Sequence, residues 1–498
     1  MKKMKKVMAL LLSLVMVLAM SVVAFAGGAA TFTITAPATT HQYEIYQIFT
    51  GDLSGTTLSN VKWGKNGSGV EGEAVSETVI NELTAVNSAS DTEKLEVIKK
   101  YAKLSNPVDT ISNGATYSAK AGYYLIKDKE GSVTGTDAYT LYIVKIVGDV
   151  TIKPKSDVPE FSKKIKDTND TTGVTSPWQD SADYDIGDNV PFKLEGTVAD
   201  NYADYKTYYF AFHDKEENGL SFNPGSVKVY VDGVEITSGY EVKTTGLKHN
   251  DCTFEVVFEN LKAISSVKAK SKITVEYTSL LNENAILGKP GNVNEAKLEF
   301  SNNPNNDQIG NPETGETPWD NVIVFTYQVV VNKYANSVAA GNKLPGAEFK
   351  LEKVLKDGTK KAIAVVKSSD ETSFTFKGLD DGDYILTETK TPAQYNTIAP
   401  ITFTVTAEHN IEWTTGNRND ILTSLTGDAA SGTITFSPKT DDNNVQTGLE
   451  TNVINKSGST LPTTGGMGTT IFYVVGSILV LGAAILLITK KRMSARSS

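Results

Sequence analysis

A pentapeptide near the C-terminal end is the clearest candidate for chemistry in this chain of 498 residues: Leu461-Pro462-Thr463-Thr464-Gly465. An apolar run follows at 470–489, and its length of about 20 residues is enough to cross a bilayer as a helix. The cations that begin at Lys490 favour a cytoplasmic end for that helix. A translocated chain would therefore pause with its C-terminal end in the membrane and the pentapeptide just outside.

The N-terminal end has the pattern of a signal peptide. Lysines at positions 2, 3, 5 and 6 precede an apolar run at 7–23, and Ala24-Phe25-Ala26 fits an A-x-A cleavage site. We therefore assign residues 1–26 to a signal peptide and exclude both ends of the chain from the fold. The apolar run is long for a signal peptide, so an uncleaved anchor is the alternative.

The order of pentapeptide, apolar run and cationic tail resembles the cell-wall sorting signal of Gram-positive surface proteins. In that family a sortase transpeptidase cuts between Thr and Gly, here Thr464 and Gly465, and passes the new Thr carboxyl to an amine. The resemblance implies an exported protein anchored to the cell wall, with its sorting signal at 461–498. An ordinary single-pass anchor that contains LPTTG by chance is the alternative.

The composition argues against several other classes of protein. Lys and Arg number 48 against 58 Asp and Glu, and no basic stripe occurs, so we expect no nucleic-acid partner. Cys252 is the only cysteine, which rules out an internal disulfide. The stability of the folded domains must then come from their cores or from another kind of covalent cross-link. The sequence shows no hydrolase or phosphate-binding motif, and its four histidines lack metal-ligand spacing. We therefore expect no enzyme, no cofactor and no metal.

Between its two ends the chain is dominated by short alternating runs rich in Val, Ile, Thr, Tyr and Phe, which Gly, Asn and Asp turns separate. This pattern predicts an all-β fold made of β-sandwich domains. Helical spacing at 76–83 and 91–104 is the exception, with Ser90 and Glu93 placed as a capping box. The first domain is therefore expected to be β with a helical insertion.

Two linkers divide the part of the chain that folds. The first, at 153–159, contains two prolines, and the second, at 301–318, is rich in Asn, Pro and Gly. They predict an N-terminal domain at 27–155, a middle domain at 156–318 and a C-terminal domain at 319–460. Each of the last two domains opens with a strand that contains a lysine.

Several segments, in order along the chain, carry a second resemblance. They are HQYEIYQIFTGDLSGTTLSNVKWG in the first domain, DYDIGDNVPFKL, FAFHDKEENGLSF and KLEFSNNP in the middle domain, and LPGAEFKLEK, YILTETKTP and VINKSGSTLPTTGG in the last. Together they resemble the major, shaft-forming pilins of Gram-positive sortase-assembled pili, the SpaA-like type. The resemblance implies tandem Ig-like domains of the CnaA and CnaB types. Many such domains are locked by a Lys–Asn isopeptide bond that forms without an external enzyme.

That bond sets chemical requirements that the sequence can be searched for. The amine of lysine is protonated in water near neutral pH and must become neutral to attack an amide. Burial disfavours the charged forms, so it lowers the pKa of a lysine and raises that of a carboxylic acid. The protonated acid can polarise the Asn carbonyl and move protons as ammonia leaves. A Lys, an acid and an Asn inside a sandwich core would meet each requirement.

Strand alternation selects candidates in the middle domain, because side chains two residues apart share a face. Lys163, Asp214 and Asn302 each share a strand face with apolar neighbours. The family pattern also places its acid in the FHD-type strand and its asparagine in the SNNP strand. We therefore predict Lys163 and Asn302 as bond partners with Asp214 as the acid. Lys164 and Asn303 are the alternatives if the register slips by one residue.

The same argument selects Lys333, Glu388 and Asn455 in the C-terminal domain. Glu388 matches the glutamate of the family's E-box, which reads YILTET here. An E-box glutamate in a surface ion pair is the alternative. The first domain shows no matching Lys, acid and Asn on apolar faces, so we predict no bond there.

The amine that would accept Thr464 is a lysine in the family's YPK-type pilin motif, at the end of the first domain. Here the region reads VTIKPKSD, and Lys155 follows Pro154 as the motif requires. Proline holds this backbone extended and cannot donate to a β-ladder, which suits display to an enzyme. The aromatic residue of the motif is missing, which leaves Lys153 as a competitor of Lys155.

The resemblance implies the major structural subunit of a covalent pilus. A pilus-specific sortase would join Thr464 of one subunit to Lys155 of an identical one, and a housekeeping sortase would attach the polymer, with its minor pilins, to peptidoglycan. The chain would then be a sortase substrate rather than an enzyme. A wall-anchored adhesin that never polymerises, or a minor pilin at the tip or base, is the alternative. Nothing in the sequence names a host ligand.

Overall fold

The protein is described by a computed structural model, which covers residues 31–86, 91–133, 139–152, 159–304, 313–414, 416–429, 434–457 and 467–494. The signal peptide at 1–26, the two candidate acceptor lysines Lys153 and Lys155, and the pentapeptide at 461–465 lie outside these residues. Within the described ranges the chain is mainly β-structure in several sheets, which confirms the predicted fold class.

The N-terminal part of the chain has a five-stranded sheet, a three-stranded sheet and two helices. The strands are β1 (Thr31–Thr35), β2 (Gln42–Ser54), β3 (Thr57–Trp63), β4 (Asp109–Ser112), β5 (Thr116–Lys120), β6 (Gly122–Asp128), β7 (Leu141–Ile146) and β8 (Val150–Thr151). The sheet orders are β3-β2-β6-β7, with β4 on β2, and β5-β1-β8. The helices α1 (Glu77–Ala85) and α2 (Asp91–Lys99) form the predicted insertion, and Leu83 and Ile98 bury its apolar side in the core.

The middle part of the chain contains a seven-stranded and a six-stranded sheet. Its strands are β9 (Phe161–Ile165), β10 (Ser181–Asp183), β11 (Asn189–Thr197), β12 (Phe210–Glu216), β13 (Leu220–Phe222), β14 (Lys228–Val231), β15 (Val234–Ile236), β16 (Glu241–Lys243), β17 (Phe254–Phe258), β18 (Lys272–Leu281), β19 (Asn292–Ser301), β20 (Thr314–Glu316) and β21 (Asp320–Phe325). The larger sheet runs β10-β21-β19-β12-β17-β16 with β20 on β19, and the smaller runs β15-β14-β18-β11-β9 with β13 on β18. Alternate residues of β11 and β18 are buried in one shared apolar core, as period-two patterning requires.

The C-terminal part has two five-stranded sheets. Its strands are β22 (Tyr327–Ala335), β23 (Glu348–Val354), β24 (Lys360–Ile363), β25 (Val365–Lys367), β26 (Ser373–Leu379), β27 (Gly382–Lys390), β28 (Ile401–His409), β29 (Leu422–Ala429), β30 (Phe436–Thr440) and β31 (Gln446–Asn455). The sheet orders are β25-β26-β22-β31-β30 and β24-β23-β27-β28-β29. The first and last strands of this part, β22 and β31, are paired in parallel. Short 3-10 helices lie at Asp200–Asp204, Pro224–Ser226, Leu261–Ala263, Ala340–Asn342 and Arg418–Asp420.

The chain forms two compact units. The first comprises Met1–Asn169, Gly173–Thr326 and Ala407–Ser424, and the second comprises Asp170–Thr172, Tyr327–Thr406 and Leu425–Ser498. Residues 407–424 are held in the first unit by an ion pair in which Arg418 donates to both carboxylate oxygens of Glu217 at 2.7 Å. Such a bidentate pair fixes orientation as well as charge.

One further helix, α3 (Met467–Ser494), follows the sheets. Its stretch Phe472–Lys490 has a mean hydropathy of 2.5 and is long and apolar enough to cross a membrane. This stretch coincides closely with the run at 470–489 that the sequence marks as the membrane segment.

Candidate functional site

The C-terminal part brings a lysine, a glutamate and an asparagine together at one end of its core. Lys333 lies near the end of β22, and Asn455 is the last residue of β31. The parallel register pairs Lys333 with Val453 and Ala335 with Asn455, so Lys333 and Asn455 are diagonal neighbours on one sheet face. Glu388 reaches them from β27 of the other sheet.

The three side chains make a closed set of contacts. The Nζ atom of Lys333 contacts Oδ1 of Asn455 and lies 3.2 Å from Oε1 of Glu388. The amide nitrogen of Asn455 donates to both carboxylate oxygens of Glu388, at 2.8 and 3.0 Å. The Lys333 and Glu388 side chains and all of Asn455 have no exposed surface. This burial lowers the pKa of Lys333, which favours the neutral amine.

The position of Glu388 fits a proton carrier. It is within reach of the amine of Lys333, which must lose a proton to form an amide, and of the Asn455 nitrogen, which must gain one to leave as ammonia. All three residues predicted from the sequence are therefore brought together, and in an arrangement that suits Lys–Asn amide formation.

A second buried lysine lies in the middle part of the chain. Lys163 of β9 and Asp214 of β12 are in contact, and neither side chain has any exposed surface. The hydroxyl of Tyr277 lies 2.8 Å from Nζ of Lys163 and donates to Asp214 at 2.7 Å. Burial lowers the pKa of Lys163 and raises the pKa of Asp214. The predicted lysine and acid of the middle domain therefore meet in a site that favours their neutral forms.

The predicted partner Asn302 does not reach this site. Asp214 is paired with Ala296 of β19, and Asn302 follows the end of that strand. Six residues of extended chain separate Ala296 from Asn302, which is about 20 Å at 3.3 Å per residue. We therefore correct the choice of Asn302, which follows the end of β19 and is too far from Lys163.

The register-slip alternatives also lie elsewhere. Lys164 points away from the core and contacts Asp180. The side-chain amide of Asn303 donates to Glu313 at 2.8 Å. Lys164 lies on the face of β9 opposite Lys163, because a shift of one residue turns a side chain to the other face of its strand. Asn303 lies beyond the end of β19.

Asn294 is the asparagine that the structure places at the site. It lies on β19 on the same strand face as Leu298 and is fully buried. Its amide donates to the hydroxyl of Tyr277 at 2.9 Å and to Glu216 at 3.4 Å. Burial raises the pKa of Glu216 to about 8, so this second acid is largely protonated at neutral pH. Sequence reasoning missed Asn294, Glu216 and Tyr277. The alternation of Asn294 with Leu298 was the signal that could have found the first.

The bonds proposed at the two sites would cross-link different parts of the fold. Lys163 belongs to the six-stranded sheet, whereas Asp214 and Asn294 belong to the seven-stranded sheet, so a bond between Lys163 and Asn294 would cross the sandwich. Lys333 and Asn455 belong to adjacent strands of one sheet, so a bond between them would join the first and last strands of the C-terminal part.

Comparisons with known proteins agree with this architecture. Residues 328–419 match the SpaA family, described as a prealbumin-like fold domain, and residues 454–494 match the LPXTG cell wall anchor motif. The trypsin-resistant surface T6 protein of Streptococcus pyogenes serotype M6 is 27% identical over 395 residues, which are 68% of this chain and 70% of that protein. These matches agree with the resemblance to pilins that the sequence segments show.

The chain is similar to the SpaA-like pilins. The solved T6 backbone pilin of Streptococcus pyogenes serotype M6, described as a modular three-domain structure, is similar with a TM-score of 0.53 and 20% identity, covering 87% of this chain and all of that one. The full-length major pilin SpaD of Corynebacterium diphtheriae matches with a TM-score of 0.47 and 16% identity, over 86% of this chain and 98% of that one. The LPXTG anchor makes this chain a cell-wall-anchored surface protein.

The N-terminal part of the chain differs from the two parts that contain these sites. Among its described residues, at 31–86, 91–133 and 139–152, the buried polar side chains are His41, Gln47, Asn66, Asp128 and Thr140, and none is a lysine. The expectation that this part forms no isopeptide bond stays a prediction.

Proposed function

We propose that this protein is a pilin, the major structural subunit of a covalently polymerised pilus. The observation that carries the proposal is the buried set of Lys333, Glu388 and Asn455, which suits a permanent cross-link in a protein that has one cysteine and no internal disulfide. In this proposal a pilus-specific sortase joins Thr464 to Lys155 of an identical subunit. Minor pilins share the polymer, and a housekeeping sortase attaches it to peptidoglycan.

The cross-link reaction needs no external reagent. The neutral amine of Lys333 attacks Cγ of Asn455, a new Nζ–Cγ bond forms, and the bond from Cγ to Nδ2 breaks. Glu388 accepts a proton from the amine and returns it to Nδ2, which leaves as ammonia. Lys163 and Asn294 react in the same way, with Asp214 as the acid. The protein is thus no enzyme for an outside substrate, and each bond forms once.

The two bonds would also set the path of force through a pulled fibre. Tension that enters at Lys155 meets Lys163 eight residues later, crosses to Asn294, and continues along the chain to Lys333. There it crosses to Asn455 and leaves at Thr464. The chain between each lysine and its asparagine is bypassed, so the sandwiches would resist extension without a disulfide.

Substituting the acceptor lysine tests the polymer. We expect Lys155→Ala to abolish the ladder of covalent multimers on denaturing gels, when the protein is expressed with its sortase, and to leave the melting temperature of the monomer unchanged. Lys153→Ala is the matched control and should still give ladders. Ladders from Lys155→Ala would assign the amine to another lysine. The absence of ladders from the wild-type protein would favour a single wall-anchored adhesin.

Removing the proton carrier tests the bond chemistry. We expect Glu388→Gln to keep the shape of the site but to prevent the bond between Lys333 and Asn455, because an amide cannot accept and return the proton. The intact mass should then exceed that of the wild-type protein by one ammonia, after correction for the substitution. The exposed Glu408 offers a control, and Glu408→Gln should retain both ammonia losses. A cross-linked Glu388→Gln protein would contradict the role of Glu388.

A further inference from the structure

A cluster of histidines and glutamates lies on the other face of the sheet that contains Asp214. Alternation along β12 turns Phe212 and Asp214 into the core and His213 to the opposite face. There His213 is paired with Glu255 of β17. Glu299 of β19 completes a group in which all three residues are at most 1% exposed. Neither isopeptide site uses these residues.

The loop between β16 and β17 adds a second histidine. The rings of His213 and His249 meet edge to face, with centroids 4.4 Å apart. One ligand atom from each of His213, His249 and Glu299 lies within 4.8 Å of the other two. The Nε2 atom of His249 is buried and, among the described residues, makes no hydrogen bond of good geometry, although Glu316 lies 2.9 Å away.

The contact between His213 and Glu255 has the form found behind metal-bound histidines. The Nδ1 atom of His213 is 3.0 Å from Glu255, and its Nε2 atom is 3.0 Å from Glu299. A carboxylate on one ring nitrogen fixes the tautomer and orientation that turn the other nitrogen toward a metal. Glu255 also accepts the backbone N–H of His249 at 3.0 Å, so it positions both histidines.

We propose that this cluster is a binding site for a zinc ion, held by one nitrogen each of His213 and His249 and by the carboxylate of Glu299. Two imidazoles and a carboxylate are a ligand set that zinc accepts, with Glu316 or water at the fourth position. Bonds of about 2.0–2.1 Å in a tetrahedron separate ligand atoms by roughly 3.4 Å. The ligand atoms therefore need to move by only about 1 Å or less.

Two lysines at the cluster neutralise part of its negative charge. Lys248 contacts Glu299, and Lys297 lies 2.5 Å from Glu316. The three carboxylates of Glu255, Glu299 and Glu316 exceed these two cations by one charge, which favours a further cation. The side chain of Lys248 is 48% exposed, so it can turn to solvent when a metal takes its place at Glu299.

The alternative occupant is a proton. If Nε2 of His213 is protonated, the imidazolium is paired with Glu255 and Glu299 and leaves no ligand atom for a metal. Zinc would replace that proton and would connect the His249 loop to two strands of the sheet. The proposal is independent of polymerisation and of both isopeptide bonds.

Zinc titration of the purified full-length protein tests the proposal. We expect calorimetry to show one zinc ion per chain, a rise in melting temperature on adding zinc, and reversal of that rise by a chelator. Cobalt in place of zinc should give the intense visible bands of a tetrahedral site. No heat and no shift in melting temperature at a hundredfold excess of zinc would overturn the proposal and leave His213 as a buried imidazolium.

Substitutions can show whether zinc binds at this cluster or at another histidine. His249→Gln removes a ligand from a partly exposed loop, so the fold should persist, and zinc affinity should fall at least tenfold. Glu255→Gln removes only the outer contact and should weaken binding by roughly 10–100-fold. His409→Gln alters another His/Asp cluster and should leave zinc affinity unchanged. Equal affinity in the wild-type and His249→Gln proteins would also overturn the assignment.

Discussion

An Asn294→Ala protein should be heavier than the wild-type protein by one ammonia, after correction for the substitution, whereas an Asn302→Ala protein should keep both ammonia losses. Asn294 and Lys163 both contact the hydroxyl of Tyr277, whereas Asn302 lies eight residues farther along the chain, which is about 26 Å at 3.3 Å per residue. Removing the carboxamide at 294 leaves Lys163 with no electrophile. Intact mass spectrometry of the folded proteins measures the difference directly.

The loss of this bond should also lower stability by a large amount. A cross-link from Lys163 to Asn294 closes a loop of about 130 residues, which the chain-entropy estimate values at about 5 kcal/mol. For a domain of this size that corresponds to a fall in melting temperature of roughly 10–20 °C. Calorimetry of the Asn294→Ala protein should show this fall. Asn302→Ala, its matched control, should melt within a few degrees of the wild-type protein.

The opposite pair of results would restore the first choice from the sequence. If Asn302→Ala gains the mass of ammonia while Asn294→Ala does not, the pairing of Asp214 with Ala296 in the structure is wrong. If neither variant changes in mass and the wild-type protein has lost only one ammonia, the middle domain has no bond. Each outcome is distinct in a single measurement.

The two asparagines show what strand patterns in a sequence leave undetermined. Alternation assigns Asn294, Leu298 and Asn302 to one strand face, and the structure places Asn294 and Leu298 on one face of β19, with Asn302 just beyond the end of that strand. The position of each residue opposite β12 depends on register, which the turns and the packing of the whole sandwich determine. The strand face could therefore be predicted, but the partner across the sheet could not.

All three residues of the C-terminal site could be predicted, because strand alternation and a recognisable sequence segment both point to them. Lys333 and Asn455 are at the ends of the first and last strands of that part, and Glu388 is marked by the YILTET segment. Few alternative registers are possible at a strand end. Once the strand face of Lys333 was assigned, Asn455 was therefore almost the only asparagine that could lie beside it. The buried positions of all three agree with that reasoning.

The histidine cluster, in contrast, could not be predicted from the sequence. His213, His249 and Glu299 are far apart in sequence and have none of the short spacings that signal metal ligands. Only the pairing of β12 with β17 and β19, and the loop over them, brings them together. Groups assembled by tertiary structure alone leave no local signal in the sequence.

Pulling on single molecules should show the mechanical effect of the C-terminal bond. Attached at both ends, the wild-type protein should give no extension from the chain between Lys333 and Asn455, because the amide bypasses it. Asn455→Ala should add an unfolding step. The two residues are 122 apart in sequence, so the released chain should lengthen the molecule by roughly 400 Å at 3.3–3.6 Å per residue.

Asn455→Ala isolates the bond better than a substitution of the lysine. It leaves Lys333 paired with Glu388, whereas Lys333→Ala would strand a buried carboxylate, at a cost of about 3–5 kcal/mol that has nothing to do with the cross-link. Asn452→Ala, on the exposed side of the same strand, is the matched control and should add no step. A wild-type protein that shows the 400 Å step would mean that Lys333 and Asn455 are neighbours without being joined, and the load in the fibre would then be carried by the fold alone.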